Sequence, residues 1–437
     1  MRLISVGLLL LAQAGHAADD ATARAMKLHE KHYYDAAAQQ LRAAMPAMDA
    51  AQLVQARLAL GMMHLGSAML YRELNRTALV IEADYLSQLG KQKTARPSQY
   101  VELYLGQVLQ ESGRIAEGVV HLRKFVAQGN LPALDKVLGN IELGVAYSRQ
   151  KQIQAAQQEW SGKNMKRAEI KAALAGAFAL AGLGEKQPEQ LADEALHELQ
   201  VQQQKPAARL LRNVLRAYAH AGATDKALQL LAGRQWEDAA YVEELEASKS
   251  IRFYDSSLLQ DMSRVHLDAA IASLEQAARD EKLAAMAAYY LTGAYLLRGN
   301  AELAQLYASK VLQSALPLAV RNIAQIDQGS EHYLKGRREE AQAVWSSLAE
   351  KAAGDPQVLA YVLQACTQAA SDCAKPEKLA VAALEHGEGK KFFGLSAALG
   401  RYYLQRRDYS RALQYMEGGR DKANKNKIEA NDPLLLV

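Results

Sequence analysis

The chain has 437 residues, 50% of them hydrophobic, only nine prolines, and a formal net charge of +4. The charge is too mild for a nucleic-acid ligand or a polybasic membrane patch, and beyond the first residues no apolar run is long enough to span a bilayer. Few prolines and many dispersed apolar residues describe a chain that is helical nearly throughout.

The N-terminus reads "MRLISVGLLLLAQAGHAADD". Arg2 forms a short positive region, Leu3 to Ala12 form an apolar run, and Gly15 and Ala17 give the small-x-small pattern of a cleavage site. The expectation is a cleaved secretory signal over residues 1–17, with an uncleaved N-terminal anchor as the rival. No cysteine stands at the cleavage point, so a lipid anchor is not expected. The mature chain is expected in a bacterial periplasm, with no integral membrane segment.

"HEKH" at His29–His32 superficially resembles a zinc motif, but the histidines are three apart rather than four and no third ligand follows. Exposed histidines on a helix are the simpler reading. From here a periodic pattern dominates. In "YLGQVLQESGRIAEGVVHLRKF", five marks fall at Gly106, Leu109, Gly113, Gly118 and Leu122. The same spacing fits Ala25, Leu28, His32, Ala37 and Leu41. It fits Gly144, Tyr147, Lys151, Ala156 and Trp160, then Leu215, Tyr218, Gly222, Ala227 and Leu231. It recurs at Thr292, Tyr295, Gly299, Ala304 and Ala308, at Gly329, His332, Gly336, Ala341 and Trp345, and at Gly400, Tyr403, Arg407, Ala412 and Met416.

Helix geometry accounts for the marks. The first two lie one turn apart on one face. The third ends a helix, where a left-handed residue is needed and glycine is favoured. The fourth is small so that a second helix can cross closely, and the fifth is a large apolar plug. Each unit is thus an antiparallel helical hairpin.

The pattern resembles the tetratricopeptide repeat, most clearly in "LGVAYSRQKQIQAAQQEW" (Leu143–Trp160) and "YYLTGAYLLRGNAELAQLY" (Tyr289–Tyr307). The resemblance implies an all-α, right-handed superhelical solenoid of about eleven hairpins over residues 18–427, with a tail at 428–437. Units near residues 58, 172, 246 and 358 are recognisable mainly by phase and are expected to fill the gaps between clear ones. An alanine-rich helical bundle is the plainer alternative, and a related solenoid class with longer repeats is the closer rival.

In this family the first helix of each hairpin lines a concave groove, which here implies Tyr100, Leu103, Gln107, Gln110 and Glu111 in one unit. Arg209, Arg212, Arg216 and His220 follow in another, then Met286, Tyr289 and Leu297, then Ile326, Tyr333 and Leu334. The three arginines stand at i, i+3 and i+7 with no acid on their own helix, so a neighbouring repeat or a ligand must supply the negative charge. The expectation is a ligand-facing basic centre, such that glutamate at all three positions leaves folding nearly unchanged. Solvated arginines and inter-repeat packing of the tyrosines are the plainer readings.

Cys366 and Cys373, with six residues between them in "QACTQAASDCAKPEK", are expected to form a disulfide across a hairpin, because an exported chain meets an oxidising compartment. Trp160 and Trp345 fall at plug positions and should be core. "GEGKKFFG" (Gly387–Gly394) lacks the spacing of a phosphate loop and reads as an inter-repeat loop. Leu434, Leu435 and Leu436, after the helix-stopping Pro433, are expected either to cap the last repeat or to meet a partner.

No catalytic constellation, cofactor motif or metal set is present in the sequence. The expected function is a non-catalytic periplasmic scaffold that binds a protein partner of the cell envelope, without nucleic acid. The rivals are a polysaccharide-export component holding acidic polymer, and an enzyme without a recognisable motif.

Overall fold

The computed structural model describes residues 20–31, 33–89, 100–163, 166–184, 187–204, 206–232, 256–385 and 393–425. Among these residues there is no strand. The helices, in chain order, are α1 (Asp20–Glu30), α2 (Tyr34–Ala44), α3 (Ala50–Leu89), α4 (Val101–Glu111), α5 (Ile115–Val126), α6 (Ala133–Arg149) and α7 (Ile153–Trp160). Then come α8 (Ala168–Ala181), α9 (Gln187–Val201), α10 (Ala208–Ala221), α11 (Thr224–Leu231), α12 (Ser256–Ala277), α13 (Ala284–Arg298) and α14 (Ala301–Leu312). The last six are α15 (Leu318–Leu334), α16 (Arg338–Lys351), α17 (Pro356–Gln368), α18 (Ala374–Glu385), α19 (Phe393–Gln405) and α20 (Tyr409–Lys425).

The five-mark pattern is realised residue by residue. Every described third mark is left-handed: Gly113, Gly222, Gly299 and Gly336, and also Lys151 and Arg407 at φ 63° and 60°. The turn is therefore set by the hairpin, and two side-chain-bearing residues accept a conformation that glycine adopts freely. Where the first mark is glycine, the fifth sits on it. A Cβ on Gly144 would lie 2.3 Å from Trp160 Nε1, and one on Gly329 2.3 Å from Trp345 Nε1. Each indole donates to a carbonyl on the crossing helix, Trp160 to Ile141 O at 3.1 Å and Trp345 to Ile326 O at 3.0 Å. Both tryptophans are buried, as expected of plugs.

The structure departs from the sequence reading near residue 58. A degenerate hairpin was expected there, but α3 is a single helix of 40 residues. Its stretch Leu58–Ala68 is buried on every side, as a helix apolar all round must be. Gly61 and Gly66 mark close approaches here, not turns: a Cβ on Gly61 would strike Leu274, and one on Gly66 would strike Tyr34.

The Gly61 contact is informative. Its Cβ would meet Leu274 Cγ at 2.5 Å and Ala270 O at 3.3 Å, just as one on Gly106 would meet Leu122 Cγ at 2.8 Å and Gly118 O at 3.1 Å. Gly61, Ala270 and Leu274 thus play the first, fourth and fifth marks of one hairpin. Its two helices, α3 and α12, are separated by the whole stretch from α4 to α11. The unit expected near 246 lies outside the described residues.

The chain forms two compact units, one of Met1–Gly66 with Ala270–Val437 and one of Ser67–Ala269. In the first, a core runs through α15–α20 around Trp345, Leu359, Leu363, Leu395 and Leu399. In the second, one cluster gathers Leu122, Phe125, Ile141 and Trp160 from α4–α8. Another gathers Tyr71, Leu211, Leu215 and Tyr218 with Leu258, Met262 and Val265 of α12. In this unit α3 and α12 run antiparallel: Ser263 Oγ donates to Ala68 O at 2.7 Å, Tyr71 stacks on His266, and Asn75 Nδ2 donates to Ser256 O.

Cys366 and Cys373 are disulfide-bonded, joining the last turn of α17 to the residue before α18. Both sulfurs belong to buried residues. Closing so short a loop is worth about 2 kcal/mol. Protein prepared without reductant should therefore resist alkylation until reduced, and should melt lower after reduction. Two freely alkylated thiols in unreduced native protein would reject the bond in solution.

Candidate partner-binding surfaces

The tyrosine at the second mark bonds to the preceding hairpin. Tyr218 OH donates to Asp193 Oδ1 at 2.7 Å, Tyr295 OH to Glu275 Oε1 at 2.5 Å, and Tyr403 OH to Glu377 Oε1. Tyr147 OH instead accepts from Arg123 Nη2 at 2.8 Å. Cations cover three of the rings, Arg123 over Tyr147, Lys226 over Tyr218 and Arg411 over Tyr403. The sequence pattern placed these rings on a packing face but gave no sign of the hydroxyl contacts, because the acids fall at variable distances along the chain.

Burial first, and then donation to Glu377, pushes the Tyr403 phenol up from its ordinary 10 to about 12; Tyr218 and Tyr295 are raised by burial and by their own carboxylates. A phenol held neutral in the folded state supports stability fully below pH 10, where the unfolded phenol is also neutral. That support is lost as pH rises through about 12. Thermal stability is therefore expected to fall above pH 10, and ultraviolet titration should leave several phenols neutral until unfolding. Full ionisation near pH 10 with no loss of helix would contradict this.

The basic centre predicted on α10 exists, but the chain itself supplies the negative charge. Arg209 Nη1 lies 3.3 Å from Asp135 Oδ1, and Tyr100 OH donates to Asp135 Oδ2 at 2.7 Å. Arg216 pairs with Asp261 Oδ2 at 3.3 Å and Glu142 Oε1 at 3.5 Å, while His220 Nε2 lies 3.2 Å from Asp261 Oδ1. Glu111, also a predicted groove position, pairs with Arg149 at 2.6 Å and accepts from Ser257 Oγ at 3.0 Å. Asp261 and Ser257 belong to α12, so the first turns of α12 lie against the groove face of α4 and α10. Small residues on α8 make room, with the Arg216 stem passing 3.3 Å from where a Gly176 Cβ would be.

Two expectations are thereby corrected. Arg212 and Arg216 are buried, not displayed to a ligand. Glutamate at the three arginine positions can no longer be expected to leave folding unchanged, since it would face Asp135, Glu142 and Asp261. Sequence reasoning missed those three acids because nothing local links residues 135, 142 and 261 to α10.

The other predicted groove residues are dispersed. Tyr289 is 0% exposed and stacked edge-on against Tyr290, so packing accounts for it and no partner reaches it. Gln110 is buried; Gln107 and Tyr333 are half-buried, the latter against the core of α15–α20. His29 is also buried, with its ring against Tyr34, which corrects the expectation of exposure; His32 and Gly387–Phe392 lie outside the described residues. Among the described residues, no group of three or more His, Cys, Asp or Glu could hold a metal, and no helix is long and apolar enough to cross a membrane.

Two features of the last hairpin, α19–α20, stand out. The first is an open cleft of about 510 Å³ lined by Glu377, Tyr402, Tyr403, Arg406, Asp408 and Arg411. The second is exposed apolar surface at Leu404, Tyr409 and Leu413. Counted from the first mark, Leu413 corresponds to Val119 and Leu228, which are 6% and 7% exposed; Leu413 is 59% exposed. Leu404 corresponds to Gln110 and Ala219, both buried. The last described hairpin thus displays apolar residues at positions that are covered in the hairpins α4–α5 and α10–α11. Leu434–Leu436, expected as cap or partner contact, lie outside the described residues.

The described residues build antiparallel helical hairpins of the tetratricopeptide-like type, an all-α architecture. No protein-family model matches the sequence, and no curated protein matches it. Among solved structures, it is similar to the human IFIT1 dimer with PPP-AAAA at 16% identity, over 97% of this chain and 94% of that one, with a TM-score of 0.24. Yeast Tom70 aligns at 10% identity over 98% of both chains with a TM-score of 0.23. The TPR domain of P58(IPK) aligns at 14% over 77% of this chain and 95% of that one, at 0.19. Likeness this distant carries no argument about function.

Proposed function

We propose that this protein is a non-catalytic scaffold that binds a protein partner, acting in the periplasm during cell-envelope assembly or secretion. The observation that carries the reading is the open apolar end of α19–α20. Large exposed apolar residues on a soluble repeat stack mark a surface that another chain covers. The buried disulfide between Cys366 and Cys373 supports an oxidising compartment, and the N-terminal sequence supports export. The rival reading, acidic polymer in a basic groove, loses its main support because Arg209 and Arg216 are already paired with acids of the same chain.

The test is a photo-crosslinking residue at Leu413 in intact cells, with a second placed at the exposed Val201 as a control. The expected result is one envelope protein captured at defined stoichiometry from Leu413 and not from Val201. Equal capture from both, or none from Leu413, would sink the reading.

A further inference from the structure

The cleft between α18, α19 and α20 contains one cation whose donors are unused. Arg411 is held by Asp408 Oδ2 at 2.8 Å and donates to Tyr403 OH at 3.4 Å. Glu377 accepts from Tyr403 OH. Both carboxylates of the cleft are therefore engaged. Arg406 is different: its guanidinium lies 4.6 Å from the centre of the Tyr402 ring and has no carboxylate or side-chain hydrogen-bond partner among the described residues. The Tyr402 hydroxyl is likewise without a hydrogen-bond partner there, although the residue itself is 4% exposed.

A guanidinium held over an aromatic face by cation–π attraction still has an N–H edge to offer. That edge matches the two oxygens of a carboxylate, which a lysine in the same place would not. The neutral phenol beneath offers one further donor to the same anion. Stacking also lowers the conformational freedom that binding would otherwise remove.

We propose that this cleft is a carboxylate-binding site, in which Arg406 and Tyr402 receive an acidic side chain of a protein partner's peptide segment. The proposal rests on the scaffold reading for the identity of the ligand as protein. It assigns that partner a chemistry: an acidic residue within reach of the α19–α20 hairpin.

The test is calorimetric titration of the full chain with an acetylated, amidated oligoglutamate peptide, alongside the matching oligoglutamine peptide and inorganic phosphate. Oligoglutamate is expected to bind and oligoglutamine not. Arg406→Gln should weaken binding by about tenfold, equivalent to about 1.4 kcal/mol. Tyr402→Phe, which keeps the ring and removes the hydroxyl, should give a smaller loss. Arg338→Gln, an exposed arginine on α16, should bind as wild type, and all variants should keep the wild-type circular dichroism.

Failure of oligoglutamate to bind, equal binding of oligoglutamine, or an unaffected Arg406→Gln variant would overturn the site. Displacement of the peptide by phosphate at comparable concentration would also overturn it, in favour of a general oxyanion site. Capture from Leu413 separates the two claims. Capture without peptide binding removes only the carboxylate site, and peptide binding without capture removes only the scaffold reading.

Discussion

Arg216→Glu is expected to lower stability by about 3–5 kcal/mol, the cost of leaving buried charges without a partner. The Arg216 side chain is 7% exposed and sits between Asp261, 5% exposed, and Glu142, 13% exposed. Glutamate there would leave Asp261 with only His220 and add a third negative charge in low dielectric. Arg209→Glu should cost less, because its side chain is 21% exposed against 7% for Arg216 and its pair with Asp135 is less fully desolvated. The check is thermal unfolding followed by circular dichroism. A wild-type melting temperature for Arg216→Glu would mean that the network contributes nothing to the fold.

Trp345→Ala should cost about 3–5 kcal/mol, in the range for a large buried ring. The indole fills the space above Gly329, so its loss opens a cavity, and Ile326 O loses its donor. Gly329→Ala is the reciprocal change. Its Cβ would lie 2.3 Å from Trp345 Nε1, so the ring must move or the helices part, at about 1–3 kcal/mol. Combining Gly329→Ala with Trp345→Leu should cost less than the sum of the single changes, because the smaller side chain accepts the methyl. Chemical denaturation of the four proteins measures this coupling, and strict additivity would show that the two residues do not share the site.

The hairpin architecture was legible because its signals are local. Gly144 and Trp160 lie sixteen residues apart, and the turn at Lys151 lies between them, so one window of sequence contains the whole unit. The pattern was strong enough to place even a lysine and an arginine in left-handed conformation. It misled near residue 58, where Gly61 instead receives a partner helix some two hundred residues away. The functional face was misjudged for a related reason. Phase put Arg209, Arg212 and Arg216 on one face of α10, but phase says nothing about what packs against that face. Asp261 and Ser257 on α12 come from a region with no clear repeat marks. Leu404, Leu413 and Arg406 matter because of what is not packed on them, and exposure of that kind cannot be read from the residues themselves.

The pairing of Gly61 with Ala270 and Leu274 has a consequence for synthesis. The apolar stretch Leu58–Ala68 of α3 leaves the ribosome long before the half of α12 that covers it. At roughly 5–20 residues per second, the wait is on the order of 10–40 seconds. Throughout that interval a segment buried on all sides in the finished protein lacks the α12 side of its packing, although the earlier Tyr34 is already there to meet Gly66. An apolar helix left exposed in this way is a natural handle for a holding chaperone. Folding of this hairpin is thereby tied to completion of everything between its two halves.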